Sequence, residues 1–256
     1  MELIGKTILI TRAASQSQSL HDALEKAGAR VLECPAFEIV PVEDWTGVDQ
    51  AISTLNNYNL LIFTSGNAVD LFMGRVSEAG ISCQIPIAVI GSATAEKLAR
   101  WNLKATLVPA TFRAEGLLNL LPENMSGKRV LLPRAETARE ILPEEIRRRG
   151  AVVDVVTVYR TLKSVDGLKN LRSLLASEKV DAIVLTSPSA VRFIVETLGS
   201  DLIRSLKDVA VAVIGPIAAE AVEAAGLNVA VQSDKATTAE LVEKIRDYFS
   251  NRTENI

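Results

Sequence analysis

"AVVDVVTVYRTLKS" (151–164) reads as one extended segment of about 14 residues, which at about 3.3 Å per residue would span roughly 45 Å. An ordinary strand runs about 5–6 residues. "RVLECPAFEIVPVE" (30–43) has the same length and stands at the matching place in an earlier part of the chain. Such a segment fits poorly into one small sheet and more naturally leaves one globule to enter another. Two of them running side by side would form a double connection. Residues 1–34 and 164–256 would then make one discontinuous domain, 43–152 an inserted domain, and 35–42 and 153–163 the linkers. The simpler arrangement is two domains in tandem, cut near 125, with "PENMSG" (122–127) as linker. The residues by themselves leave both open.

The matching of those segments belongs to a wider repeat. "TSGNAV" (64–69) returns as "TSPSAV" (186–191), 122 positions on, and "GKTILITRA" (5–13) returns as "GKRVLLPRA" (127–135). At the same shift Gly28 meets Gly150, and Phe37 of "AFEIV" meets Tyr159 of "TVYRT". "AVIGSATAEKLA" (88–99) meets "AVIGPIAAEAVE" (212–223) at a shift of 124, and "RAEGLL" (113–118) meets "TAELVE" (238–243) at 125. The order is kept and the shift drifts slowly, as small loop insertions would make it. That is the mark of a duplication.

Within each half, short apolar runs alternate with helical patterns. Strands are expected at 6–11, 30–34, 60–64, 86–90, 104–108, 128–132, 152–158, 181–186, 209–214 and 228–232, rich in Val, Ile and Leu on both faces as buried parallel strands are. Gly28, Gly80, Gly150 and Gly226 stand where helices should stop. Pro143 falls inside a helical pattern and predicts a kink or a late start. The alternation implies α/β layers with right-handed crossovers.

Composition excludes several classes. A net charge of −3 and 4% aromatic residues offer neither the basic surface nor the stacking platform of a nucleic-acid binder. No apolar run reaches membrane-spanning length, and the first residues lack the pattern of a signal peptide. Two cysteines, Cys34 and Cys83, and one histidine, His21, build neither a disulfide framework nor a thiol–imidazole metal site, so a reducing, cytoplasmic setting is expected. Cys34 reads as a small core residue and His21 as a surface residue.

Ligands of parallel α/β sheets bind beyond the carboxyl ends of the strands. Those ends carry "TRAAS" (11–15), "TSGNA" (64–68), "GSATA" (91–95), "PRAET" (133–137), "TSPSA" (186–190) and "GPIAA" (215–219). Each delivers the chain into a helix start, where free N–H groups and the helix dipole favour anions. For any single Ser or Thr the plain reading is a helix N-cap. Six such turns in two similar domains, facing a common cleft, point to a large ligand that is anionic at several places. Arg12 and Arg134 share one repeat position and suit bidentate pairing with carboxylates. No phosphate loop, dinucleotide fingerprint or nucleophile elbow occurs, so any reaction should rest on positioning and backbone dipoles more than on acid–base strength. Tyr159 is either a packed aromatic or a phenol directed into the cleft.

In this order, "IFTSGNAV", "AVIGSATA", "TVYRT", "LTSPSAV" and "AVIGPIAA" resemble the uroporphyrinogen-III synthase family over 5–248, and "PRAETAREILPEEIRRRGAVVDVVTVYRT" (133–161) is the strongest block. The resemblance implies an α/β fold of two doubly wound, flavodoxin- or Rossmann-like parallel-sheet domains. They are joined by a two-stranded β ladder, the first is discontinuous, and the active site lies in the interdomain cleft. It implies closure of hydroxymethylbilane, a linear tetrapyrrole with eight carboxylates, to uroporphyrinogen III, with ring D inverted and water lost. No metal or organic cofactor is implied. Tyr159 falls on the family's catalytic tyrosine. Thr94, Ser65 and Ser187 fall on positions the resemblance associates with substrate binding, while Thr64, Gly91, Ser92, Thr186, Ser189, Gly215 and Ala218 in the strand-end turns, with Arg12 and Arg134, are binding candidates from their own placement. A monomer is expected, with room for a transient contact with the enzyme that forms hydroxymethylbilane.

One turn departs from the family pattern. Some relatives carry G-P-T-T where this chain has "GPIA", and Ile217 and Ala218 have no hydroxyl to donate. Binding there would rest on backbone N–H groups. The rival reading is a two-lobed binding protein that closes on an anionic small molecule without chemistry. A phosphoryl-accepting domain would want acidic residues at the strand ends, where this chain has Thr, Ser and Gly.

Overall fold

The computed structural model describes residues 3–233 and 237–253. Among the described residues are ten strands, all but β2 and β3 separated by helices: β1 (Thr7–Ile10), β2 (Arg30–Glu33), β3 (Phe37–Pro41), β4 (Leu60–Phe63), β5 (Ile87–Val89), β6 (Arg129–Ala135), β7 (Val152–Lys163), β8 (Ala182–Leu185), β9 (Ala210–Ile214) and β10 (Val229–Ser233). They form two five-stranded sheets, ordered β10-β9-β8-β1-β2 and β3-β7-β6-β4-β5. The chain divides into two compact units, Met1–Glu38 with Leu162–Ile256, and Ile39–Thr161. It passes from one to the other along β3 and again along β7, which are neighbours in the second sheet.

Each sheet mixes the two sequence repeats. β1, from the first repeat, pairs in parallel with β8 from the second, and β6, from the second, pairs in parallel with β4 from the first. The arrangement is therefore the exchanged one, not the tandem one. Repeat-equivalent strands hold equivalent places, β8-β1-β2 against β4-β6-β7.

Burial explains why these runs became strands. All four residues of β1, β4 and β8 are buried. Helices cover the second sheet on both faces. Phe63, Phe72 and Leu131 pack in one cluster, and Ile62, Leu132 and Ile146 in the other. Phe72 is fully buried and meets Phe63 edge-on at 5.8 Å, so truncating it to Ala would cost about 3–5 kcal/mol.

The strand expected at 104–108 is not formed. Leu107 makes only an isolated bridge to Ala88, although Thr106 N–H still reaches Ile87 O at 2.7 Å. Its neighbour β5 has only three residues, and Pro109 brings no N–H to extend a ladder. The segment 30–43 is broken at Cys34–Ala36, around Pro35, into β2 of one sheet and β3 of the other. Its counterpart runs unbroken for 12 residues as β7. Of the two readings for Pro143, the late start holds. The helix Ile141–Arg148 places it in the first turn, where a missing N–H breaks no bond. Gly28, Gly80, Gly150 and Gly226 each follow a helix end with positive φ.

Candidate active site

In the second unit, β4 ends at Phe63 and hands over to Thr64 and Ser65. Ser65 caps the helix Gly66–Glu78 from extended backbone (φ −155°, ψ 151°), its Oγ accepting the Ala68 N–H at 3.2 Å. A second bond to the same oxygen joins it to Tyr159, whose Oη lies 3.1 Å away. Thr64 and Ser65 are half-buried and Tyr159 is buried.

Tyr159 reaches Ser65 because β7 is irregular. Arg134 pairs with Thr157, but the next residue, Ala135, pairs with Tyr159, so Val158 is an extra residue in β7. Before this bulge the faces alternate, Val153 and Val155 packing in one core cluster and Val156 and Val158 in the other. Tyr159 directly follows Val158 yet packs in the same cluster. The bulge has turned it onto the face that carries Ser65.

Beyond β5, Gly91 caps the helix Ser92–Ala99 with φ +91°, a conformation that any side chain would strain. Ser92 is half-buried at the first helical position, and Thr94 is buried at the third with no side-chain hydrogen bond among the described residues. Gly66 sits close under the Lys97 stem, whose ammonium pairs with Asp70, a contact that spacing did not announce. Arg134, at the end of β6, pairs with Glu140 and donates to Arg139 O at 3.3 Å, while its Nε is buried without a partner among the described residues.

In the first unit, Thr11 Oγ1 donates to Val184 O at 2.8 Å, tying the carboxyl ends of β1 and β8. Arg12, next along, makes no hydrogen bond or ion pair among the described residues. Burial draws its guanidinium below its ordinary pKa. Thr186, Ser187 and Ser189 are half-buried. Ser187 caps Pro188–Leu198 and accepts the Ala190 N–H at 3.2 Å. Gly215 caps Pro216–Ala224 with φ +75°, and Ala218 is buried.

The repeat thus preserves the caps and varies the chemistry around them. Tyr159 and Thr94 carry hydroxyls where the first unit has Phe37 and Ala218. Arg134 is neutralised by Glu140, whereas Arg12 has no counterpart to that carboxylate among the described residues. Among the expected residues, one direct contact joins two: Ser65 with Tyr159. The cysteines stand apart from these turns. Cys34 is buried, donates to Gly167 O at 3.0 Å, and has its thiol pushed up to about 11 by burial. Among the described residues no three of His, Cys, Asp and Glu converge as metal ligands would, and no helix is long and apolar enough to cross a membrane.

A family model described as uroporphyrinogen-III synthase HemD matches residues 18–243. The chain belongs to the uroporphyrinogen-III synthase family. It is 36% identical over 224 residues to the uroporphyrinogen-III synthase of Synechococcus elongatus, covering 84% of each chain. With that of Chlorobaculum parvum it shares 28% over 232 residues, 88% of this chain and 91% of the other. The fold matches that of uroporphyrinogen III synthase from Thermus thermophilus with a TM-score of 0.72 at 18% identity, over 96% of this chain and 100% of that one. The Helicobacter pylori synthetase matches with a TM-score of 0.53 at 18% identity, over 94% and 98%.

Proposed function

We propose that this member of the uroporphyrinogen-III synthase family is a cyclising hydro-lyase. It closes hydroxymethylbilane to uroporphyrinogen III, with loss of water and inversion of ring D. The family match over most of the chain supports the reaction, and the Ser65–Tyr159 hydroxyl pair at the carboxyl edge of the second sheet supports the placement of the chemistry.

The pyrrole nitrogen supplies the electron pair that expels the hydroxymethyl oxygen, so only a weak proton donor is needed. Tyr159 is that donor in this reading. The harder task is orientation, because ring D must attack through its substituted carbon to give the spiro intermediate. The substrate's carboxylates meet the helix starts at Ser65, Gly91–Thr94, Ser187–Ser189 and Gly215–Ala218, together with Thr64, Thr186, Arg12 and Arg134. Open N–H groups and the helix dipole favour anions there. The reading includes a monomeric, cytoplasmic enzyme with no cofactor that meets the preceding enzyme only transiently.

The test is product analysis. The purified protein is given freshly generated hydroxymethylbilane, the product is oxidised, and the uroporphyrin isomers are separated. Predominant isomer III establishes the ring-inverting closure. Isomer I alone, at the blank rate, overturns it in favour of a binding protein that leaves its ligand unchanged.

A further inference from the structure

We propose that Ser65 is the positioning residue of Tyr159: it holds the phenol at the reacting group and carries its hydrogen bond through the proton transfer. This rests on the reading of Tyr159 as proton donor, and it moves Ser65 from the substrate's contacts to those of the tyrosine.

Three observations support it. The first is the capacity of the serine hydroxyl. Ser65 Oγ has two lone pairs and one hydrogen. The Ala68 N–H, at 3.2 Å, takes one lone pair. The other lone pair and the hydrogen remain for Tyr159 Oη at 3.1 Å. With the phenol O–H directed at the departing oxygen, Ser65 donates to Tyr159 Oη, and the same hydrogen bond then serves the phenolate, with no heavy atom moved. The helix cap fixes Oγ throughout.

The second is the bulge at Val158. Alternation would send Tyr159 to the face of Leu142 and Ile146, but the extra residue returns it to the face of Ser65. Bulges cost ladder regularity and recur where a side chain must be re-aimed.

The third is a control within the molecule. Ser187 caps its helix with nearly the same backbone angles as Ser65 (φ −155°, ψ 154°) and the same 3.2 Å bond to the third helical N–H. At the repeat position of Tyr159 the first unit carries Phe37, which is equally buried. The Ser187 cap therefore forms with no phenolic partner among the described residues, and the hydroxyl pair is not a requirement of the cap.

The proton balance is closed. As the C–O bond breaks, its electron pair leaves with oxygen, and the Tyr159 O–H bond is exchanged for an O–H bond of the departing water. Ser65 then donates to the phenolate. The proton released from ring carbon after closure restores the phenol.

A double-mutant cycle tests the assignment, with kcat, KM and isomer ratio measured on hydroxymethylbilane. Ser65→Gly keeps a competent N-cap and removes the hydroxyl, while Ser65→Thr keeps both. Tyr159→Phe should lower kcat by about 100-fold, the lower range for general acid catalysis. Ser65→Gly should lower kcat about tenfold, with KM within about twofold, and Ser65→Thr should restore kcat to within about threefold. In the Tyr159→Phe background, Ser65→Gly should cost less than about twofold, because a residue acting through another has nothing left to lose. An undiminished tenfold loss in that background, or a raised KM with kcat unchanged, would show that Ser65 serves the substrate directly and overturn the proposal. An unchanged kcat for Tyr159→Phe removes the donor reading and this proposal with it, while isomer III from the unaltered protein still upholds the proposed reaction.

Discussion

Tyr58 donates its phenolic hydrogen to Asp154 at 2.7 Å, and Arg129 reaches the same carboxylate oxygen at 2.9 Å while its guanidinium lies 4.7 Å over the Tyr58 ring. The three residues join the segment before β4 to the starts of β6 and β7, at the amino edge of the second sheet. The bulge and the Ser65–Tyr159 pair lie at the other end of the same strands.

That cluster should make the second unit sensitive at both ends of the pH range. The Tyr58 hydrogen bond, then Arg129, holds the Asp154 carboxyl below its ordinary value. Its contribution is present above the unfolded value near 4 and is lost as pH falls through the lower folded value. Burial, then Asp154, pushes the Tyr58 phenol up to about 12. That contribution is present below about 10 and is lost as pH rises toward 12. Tyr58→Phe should cost about 1–2 kcal/mol at neutral pH, and less once Asp154 is protonated. Urea unfolding at pH 3, 7 and 11 measures this, and a cost independent of pH would refute it.

His21 should titrate above the usual imidazole range. Its Nδ1 lies 2.7 Å from Glu33 and its Nε2 3.2 Å from Glu25, and the Glu33 bond is the main cause of the raised value. The pair joins the helix Ala14–Lys26 to the end of β2. Its stabilisation is full below about 6.5 and is lost as pH rises through the raised folded value. The chain has one histidine, so one imidazole resonance reports it. The NMR midpoint should lie above 6.5 and fall in Glu33→Gln. An unshifted midpoint would remove the latch.

The repeat and most of the strand runs were legible because burial and helix caps are written in residue type, whereas the residues alone left the exchanged and tandem arrangements open. Thr-Ser and glycine mark helix starts whatever the tertiary context, and the ordered motifs pointed to the family. The register of a ladder is not written that way. Nothing in "TVYRT" announces that Val158 is an extra residue, so Tyr159 could be placed on the strand but not on a face. Nor did repeat symmetry distinguish Arg12 from Arg134, because the difference lies in Glu140, from a segment outside the echoed motifs. Pro35 stands where the expected strand at 30–34 gives way to the linker, and the chain does break there, whereas the apolar run at 104–108, followed by Pro109, did not form a strand.

Gly167 should tolerate no side chain. A Cβ added there would lie 2.1 Å from Pro35 O, and the Gly167 carbonyl accepts from Cys34 Sγ at 3.0 Å. The obstructing atom is backbone, in the segment that links β2 to β3, so relief requires moving one of the two crossings of the chain. Gly167→Ala should destabilise the first unit by more than about 2 kcal/mol, the range of steric core faults. A change within about 0.5 kcal/mol in denaturant unfolding would show that the two segments separate freely.

Arg12 and Arg134 should differ in their effect on substrate, although they share a repeat position. Glu140 already answers Arg134, so a substrate carboxylate must compete with a neighbour's. Arg12 has no such competitor among the described residues, and burial sharpens its preference for an anion. Arg12→Gln should raise KM about tenfold, the worth of one charged hydrogen bond, while Arg134→Gln raises it less than about threefold. Salt should raise the KM of the unaltered enzyme by screening its several carboxylate contacts, and raise it less steeply in Arg12→Gln, where one contact is already gone. Equal effects of the two substitutions, or a KM indifferent to salt, would mean that helix starts rather than arginines hold the carboxylates.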